Sequence, residues 1–148
     1  MILIHPPLSK PCEPPAGIAR LAGVVEGKGN LAIIDANLDG ILSALHRPLE
    51  FNDTWTRRAK KNIQTNLDYL RTKNHRWDID RYTRSVKELN RLLGKFPPRD
   101  NIRMSLNNYQ DEILSPVKNS DLIRAAEEPE KNPFYSRFRD WLIRCTDD

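Results

Sequence analysis

The chain has 148 residues, which is enough for one domain of ordinary size and too few for two. A composition of 39% hydrophobic and 30% charged residues favours a globular protein with a polar surface, and the first apolar run ends at Pro6, far short of the ~20 residues of a membrane span. That run also lacks the basic start and the cleavage site of a signal peptide, so we expect a cytoplasmic protein with no membrane partner.

The two cysteines, Cys12 and Cys145, stand far apart in the sequence. Neither belongs to a CxxC or CxH pair, so we expect no metal or iron–sulfur centre built by this chain alone. In a cytosolic chain two reduced thiols are favoured over a disulfide. Cys12 lies in a proline-rich loop with no histidine close in sequence, which argues against a catalytic thiol. Cys145 continues an apolar helical spacing that predicts burial.

Residues 1–47 carry the pattern of a strand–helix–strand unit. The apolar run from Ile2 to Ile4 predicts a strand, the spacing from Ala16 to Val25 predicts a helix, and the run from Leu31 to Ile34 predicts a second strand. Both strands are apolar throughout, which is typical of a parallel sheet covered on both faces. A short helix from Leu38 to Leu45 completes this part of the chain.

Ligands of an open parallel sheet bind beyond the carboxyl ends of its strands, and the first turn of a helix can present N–H groups to an anion. The candidate ligand-binding residues are therefore His5, Pro6, Pro7, Pro15, Gly17, Asp35 and Asn37. Each also has a purely structural interpretation. His5 can pack under the proline turn, Gly17 can let its helix pack close to the sheet, and Asp35 and Asn37 can cap the next helix.

Residues 53–96 predict an antiparallel hairpin of two amphipathic helices. The first runs from cap candidates at 52–54 to about Arg71, with the inward positions Ala59, Ile63, Leu67 and Leu70. The second begins at Asp78 or Asp80 and ends at Gly94, with the inward positions Ile79, Tyr82, Val86, Leu89 and Leu93. Residues 57–103 hold 14 Lys/Arg and 5 Asp/Glu, so the basic charge is concentrated here.

Residues 101–148 predict a short strand followed by helices. The strand runs from Ile102 to Leu106, residues 107–118 are loop-like, and a short helix runs from Leu122 to about Glu127. Asn132-Pro133 opens a last helix, whose apolar side comprises Phe134, Phe138, Trp141, Leu142 and Cys145. This aromatic stripe predicts that the helix packs against a sheet. We expect the chain to be the N-terminal part of a larger protein, and the alternative is a complete small helical protein.

Three strings near the N-terminus resemble the start of cobalamin-binding radical S-adenosylmethionine (radical SAM) proteins. They are Ile4-His5-Pro6-Pro7, the segment from Cys12 to Gly23, and Ile34-Asp35-Ala36-Asn37-Leu38-Asp39-Gly40. Matching strings further along are Tyr109-Gln110-Asp111, Leu114-Ser115-Pro116 and Asn132-Pro133-Phe134-Tyr135. The resemblance implies a Rossmann-like, flavodoxin-type α/β domain, partial here and mostly helical by residue count, that precedes a radical SAM barrel and can hold cobalamin against the barrel's iron–sulfur cluster.

Two departures from the family pattern limit what this chain does by itself. It has no CxxxCxxC, so the cluster and the radical chemistry belong to the barrel. It also has no Asp-x-His-x-x-Gly after its first strand, the sequence that supplies a histidine to cobalt. The string from Asp35 to Gly40 has a similar spacing with Asn37 in place of that histidine, but it follows the second strand. Cobalamin binding without a protein ligand to cobalt is the alternative that this leaves. The resemblance thus implies a cofactor holder or scaffold in a radical SAM enzyme, with the C-terminal barrel as its partner. We assign no catalytic residues to the chain.

The alternative function is a helical module that binds protein or nucleic acid through a basic face. A local excess of positive charge is an electrostatic footprint for polyanions. Two observations argue against nucleic acid as the partner. The charges are spread around helices with ordinary apolar stripes, and Trp55, Trp77 and Tyr82 fit packing as well as base stacking. A solvated face, or a surface that docks the rest of the protein, is the favoured interpretation. Self-association is a further expectation, because half a sheet leaves an open edge.

Overall fold

The N-terminal unit is the parallel strand–helix–strand arrangement that the sequence predicts. The computed structural model describes residues 1–5, 15–48, 50–72, 78–95 and 101–146. In it β1 (Ile2–His5), α1 (Ala16–Val25) and β2 (Ala32–Asp35) follow in order. β1 and β2 pair in parallel, with His5 opposite Asp35 at their carboxyl ends, so two of the candidate residues are neighbours at one edge.

The rest of the described chain is mainly helical, which confirms an α/β, mostly helical fold. The elements are α2 (Ala36–Leu45), α3 (Thr54–Lys61), α4 (Ile63–Arg71), α5 (Ile79–Leu93), β3 (Ile102–Met104), β4 (Tyr109–Asp111), α6 (Asn119–Glu127) and α7 (Tyr135–Thr146), with a 3₁₀ turn at Pro129–Lys131. β3 and β4 form a separate antiparallel pair. The prediction of a loop over residues 107–118 is wrong at β4, because three residues, two of them polar, give no alternation to detect.

The helix predicted from residue 53 to Arg71 is interrupted, and α3 and α4 meet at Asn62. The backbone of Asn62 has φ −93° and ψ 1°, outside the helical range, and its N–H donates to the carbonyls of both Arg58 and Ala59 at 3.1 Å. Its side chain donates to Glu88 on α5 at 3.1 Å. Asparagine favours such local alternatives to the helical ladder, so a residue inside an amphipathic pattern ends one helix and starts the next.

The hydrophobic core lies among the helices and β3, and not on the β1–β2 sheet. Its buried members are Ile41, Leu45, Ala59, Ile63, Leu89, Leu92, Leu93, Ile102, Met104 and Phe134. They come from α2, α3, α4, α5, β3 and the start of the last helix. Residues 53–96, which the sequence presents as an insertion into an α/β domain, therefore supply half of these core residues.

The prediction of strands covered on both faces is wrong. Among the described strand residues of β1 and β2, only Ile34 is buried, while its neighbour Ile33 is 52% exposed because successive strand residues face opposite ways. α1 contains no buried residue, and its Leu21 and Val24 are exposed. The N-terminal unit thus has the predicted topology with one apolar side open in the described structure.

The last helix lies against α2, whereas the sequence led us to expect a sheet beneath its aromatic stripe. Phe134 is buried beside Gly40, where a Cβ would come within 3.3 Å of the ring. Arg137 on α7 donates two hydrogen bonds to the carboxylate of Asp39, of 2.8 Å from Nε and 3.0 Å from Nη2. A small residue at position 40 and a bidentate ion pair one residue earlier together fix α7 on α2.

A polar network joins α4 to α5 beside the core. Glu88 accepts hydrogen bonds from the side-chain amides of Asn62 at 3.1 Å and Asn66 at 2.8 Å. The buried Ser85 hydroxyl donates to the amide oxygen of Asn66 at 3.2 Å. Each polar group of this part-buried set has a partner, which is the condition under which polar burial does not destabilise a fold.

We expect Asn66→Ala to lower the free energy of unfolding by about 1–3 kcal/mol, because Ser85 and Glu88 both lose a partner in a poorly solvated place. Urea denaturation followed by circular dichroism measures this loss. Gln64→Ala is the matched control, since Gln64 is exposed on the same helix and, among the residues that the structure describes, its side chain bonds only to Asp68, at 2.7 Å. Equal effects of the two substitutions would contradict a structural role for the network.

Asp53 caps α3 and pairs with α5. Its Oδ1 accepts from the Thr56 amide at 2.8 Å and from Arg91 Nη2 at 3.0 Å. Hydrogen bonds from the Thr56 side chain and backbone, with the charge of Arg91, lower the pKa of Asp53 to about 2. The folded protein therefore binds this proton less readily than the unfolded chain does.

The depressed pKa of Asp53 predicts a pH dependence with a definite sign. Its contribution to stability is present in full above the ordinary aspartate pKa near 3.8 and is lost as pH falls through about 2. Asp53→Asn keeps a good cap residue but removes the charge. We expect the stability difference between the wild type and this variant to shrink between pH 5 and pH 2, as measured by denaturation at each pH; a difference independent of pH would contradict the assignment.

Candidate functional site

The candidate edge is formed by the carboxyl ends of β1 and β2. His5 and Asp35 face each other in the parallel register, and both are half-buried. Asn37 follows in the first turn of α2. The structure therefore brings three of the seven predicted residues into one neighbourhood. Pro6 and Pro7 lie outside the described residues.

Asp35 and Asn37 both have structural roles at this edge. Asp35 is the N-cap of α2, and its Oδ1 accepts a hydrogen bond of 2.9 Å from the Leu38 amide, which satisfies one of the N–H groups left free by the helix. Asn37 is only 3% exposed. Its side chain therefore presents almost no surface to solvent at this edge.

Pro15 and Gly17 stand at the start of α1. Pro15 is half-buried and occupies the N-cap position, with φ −74° and no side-chain hydrogen bond to the helix. Gly17 is exposed, and a Cβ added there would have no neighbour within 4 Å. The expectation that Gly17 packs close to the sheet is therefore wrong. The first turn of α1 remains accessible at this glycine.

The string from Asp35 to Gly40, which carries part of the family resemblance, has a structural contact at each of four positions. Asp35 caps α2, Asn37 is buried, Asp39 binds Arg137, and Gly40 lies under the Phe134 ring. The ion pair with Asp39 raises the pKa of Arg137, which stays charged. Most of this string thus serves the junction of α2 with its neighbours.

The polar residues at the edge are engaged in contacts within the chain. Within the described ranges, no group of three or more His, Cys, Asp or Glu side chains is placed to hold a metal ion. His5 is the imidazole at the edge, and it already has an interaction within the chain.

A cavity of about 280 Å³ lies between β4 and α6, away from the candidate edge. Its acidic groups are already engaged. Asp111 accepts from the amides of Ile113 and Leu114, both at 2.8 Å, and Glu128 pairs with Lys131 at 2.6 Å and with Arg124. These hydrogen bonds and charges lower the pKa of Glu128. With its charges paired, this cavity offers no evident reactive group.

Sequence reasoning missed a groove of about 510 Å³ between the start of α3 and one face of α5. Trp55 forms one wall and is 68% exposed. Arg84 and Lys87 line the other side. The excess of Lys and Arg in this region was visible in the sequence, but nothing there distinguished an exposed tryptophan from a packed one.

Comparisons with known proteins leave the chain without an assigned family: no family model matches it, and no curated protein or solved structure is significantly similar to it. No helix in the described part of the chain is long and apolar enough to cross a membrane.

Proposed function

We propose that this chain is the N-terminal cobalamin-binding-like domain of a radical SAM enzyme, in which it serves as a scaffold without catalysis of its own. The observation that carries the proposal is the parallel pairing of β1 with β2 through α1, which sets His5 beside Asp35 at the strand ends. Parallel sheets of this type bind their ligands at that edge. The resemblance of the N-terminal strings to the family supplies the identity of the neighbouring barrel.

Of the two roles implied by the resemblance, the contacts at the edge support scaffold over cofactor holder. Asp35 uses a carboxylate oxygen to cap α2, and Asn37 is buried. Polar groups committed to the fold are costly to redirect toward a ligand, because their former partners would be left unsatisfied. A scaffold role requires no change in the contacts that these two residues make within the fold.

Cobalamin titration separates the two roles. The chain is titrated with aquocobalamin and with cob(II)alamin, and visible absorbance is recorded. We expect no saturable spectral change. A saturable change that His5→Ala abolishes and Asp111→Asn leaves intact would overturn the scaffold role in favour of a cofactor holder at the strand edge.

The family itself is tested by the coding sequence. The proposal requires a CxxxCxxC in the same polypeptide, C-terminal to Asp148, since the iron–sulfur cluster needs three closely spaced cysteines that this chain lacks. A gene product that ends at Asp148, or that continues without such a motif, would overturn the proposal whatever the titration shows.

The open apolar side of the N-terminal unit supports a barrel as partner. Leu21 and Val24, three residues apart on α1, and Ile33 on β2 are each more than half exposed, and exposed apolar surface of this kind suits contact with another domain. In the isolated chain we expect this surface to cause concentration-dependent self-association, measured by light scattering. Leu21→Lys with Val24→Lys should restore a monomer; a wild-type chain that stays monomeric at every concentration would contradict the expectation.

A further inference from the structure

The groove beside Trp55 combines features that neither the core nor the strand edge explains. We call it the Trp55 groove and define it by Trp55 on α3 with Asp80, Thr83, Arg84, Lys87, Glu88 and Arg91 on α5. Trp55 lies in the first turn of α3 and leaves 68% of its surface exposed. An indole that large contributes little to stability when it faces water, because most of its apolar surface is not buried.

The charges of the Trp55 groove divide into engaged and unengaged groups. Glu88 is held by Asn62 and Asn66. Arg91 donates to the Thr56 hydroxyl at 2.9 Å and to Asp53. In contrast, neither Arg84 nor Lys87 forms a hydrogen bond or an ion pair with any residue in the described part of the chain.

Arg84 and Lys87 are three residues apart on α5, so they project from the same side of the helix about one turn from each other. Asp80 is the one acidic group of the groove that is not already committed to α4. The surroundings are strongly basic: α3 and α5 together carry eight Lys or Arg and two carboxylates. The electrostatic potential of this face therefore attracts a polyanion.

We propose that the Trp55 groove binds single-stranded nucleic acid, with a base stacked on Trp55 and phosphates at Arg84 and Lys87. Positive grooves that carry an exposed aromatic ring are the general solution for sequence-tolerant binding of single strands. An acidic protein segment would be attracted by the same charges but would gain less from a flat indole, so the ring favours a nucleobase. This inference is independent of the scaffold role, because it involves none of the residues at the strand edge.

The test uses the full chain and fluorescein-labelled twelve-nucleotide oligo-dT and oligo-rU, with binding followed by fluorescence anisotropy over 50–300 mM salt. We expect Trp55→Ala to weaken binding about 5- to 150-fold, the loss of one stacked base, and Trp55→Phe to recover part of it. Because Trp55 is exposed, the far-ultraviolet spectrum and the denaturation midpoint should stay close to those of the wild type.

The cationic half of the proposal has its own measurement. Arg84→Ala with Lys87→Ala should reduce the slope of log affinity against log salt by about 1.4, since each phosphate contact contributes about 0.7 on single strands. Arg20→Ala with Lys28→Ala removes the same charge from exposed positions outside the groove. That control should leave the slope unchanged.

Three results would overturn the inference. The first is no binding to either oligonucleotide at 50 mM salt. The second is an equal loss of affinity in the groove variant and in the Arg20/Lys28 control, which would indicate attraction by overall charge alone. The third is full affinity in Trp55→Ala together with equal competition by polyglutamate at the same charge concentration, which would indicate an acidic protein as the partner.

Discussion

Leu89→Ala is expected to lower the free energy of unfolding by about 2–5 kcal/mol. Leu89 is 1% exposed on α5 and lies in the core cluster with residues of α2, α3 and α4. Truncation removes its buried apolar surface and leaves a cavity among helices that meet around it, which the surrounding residues close only partly. Urea denaturation should show a lower midpoint with an unchanged slope, because the surface exposed on unfolding is nearly the same.

Ile79→Ala is the matched control for this substitution. Ile79 begins the same helix and is 65% exposed, so its truncation should change the free energy of unfolding by no more than about 0.5 kcal/mol. Both positions belong to the apolar pattern of the sequence, and the pair therefore separates position in the core from hydrophobicity alone. Similar losses at the two sites would contradict the placement of the core.

Phe134→Ala is expected to cost about 3–5 kcal/mol of unfolding free energy. The ring is 5% exposed, lies over Gly40, and meets Tyr109 edge to face with the ring centres 6.5 Å apart. It connects the last helix to both α2 and the β3–β4 pair. Removing it should release α7 before the rest of the molecule unfolds, because the remaining Arg137–Asp39 ion pair, with side chains 46% and 22% exposed, stabilises less than the buried ring does.

Hydrogen exchange distinguishes this local release from a general loss of stability. In Phe134→Ala the amides of α7 should exchange faster by a larger factor than those of α5. Phe134→Leu retains part of the packing and should show a smaller effect, and Leu122→Ala, at an exposed site on α6, should show almost none. Equal acceleration in α5 and α7 would contradict the role of Phe134 as the anchor of the last helix.

The local elements were largely predictable from the sequence. The spacing of apolar residues gave β1, α1 and β2 to within one residue. Asp78 was one of two residues expected to start α5, and it is the cap, which accepts from the amides of Asp80 and Arg81. These features depend on contacts between residues close in sequence. The parallel pairing also followed, since a helix between two adjacent strands allows little else.

The location of the core and the long-range contacts of the polar residues could not be predicted from the sequence in the same way. The sequence pattern of an apolar strand or helix face is the same whether another element covers that face or leaves it exposed. The exposure of Ile33 and Trp55 could therefore not be inferred. At the break between α3 and α4, the Asn62 side chain bonds to Glu88, which is 26 positions away in sequence. The ion pair of Asp39 with Arg137 spans 98 positions. Such contacts follow from the packing of whole helices and have no local signal.

The amide–carboxylate contacts of Asn62 and Asn66 with Glu88 have a consequence for how α4 and α5 find each other. Leucine and isoleucine side chains tolerate sliding, because one apolar neighbour substitutes for another. If one helix were displaced by one turn, the two amides and the carboxylate would instead lie opposite groups that cannot form hydrogen bonds with them. The helical pair therefore has a single alignment enforced by directional bonds, and replacing all three residues with aliphatic ones should yield a stable protein whose two helices are free to shift.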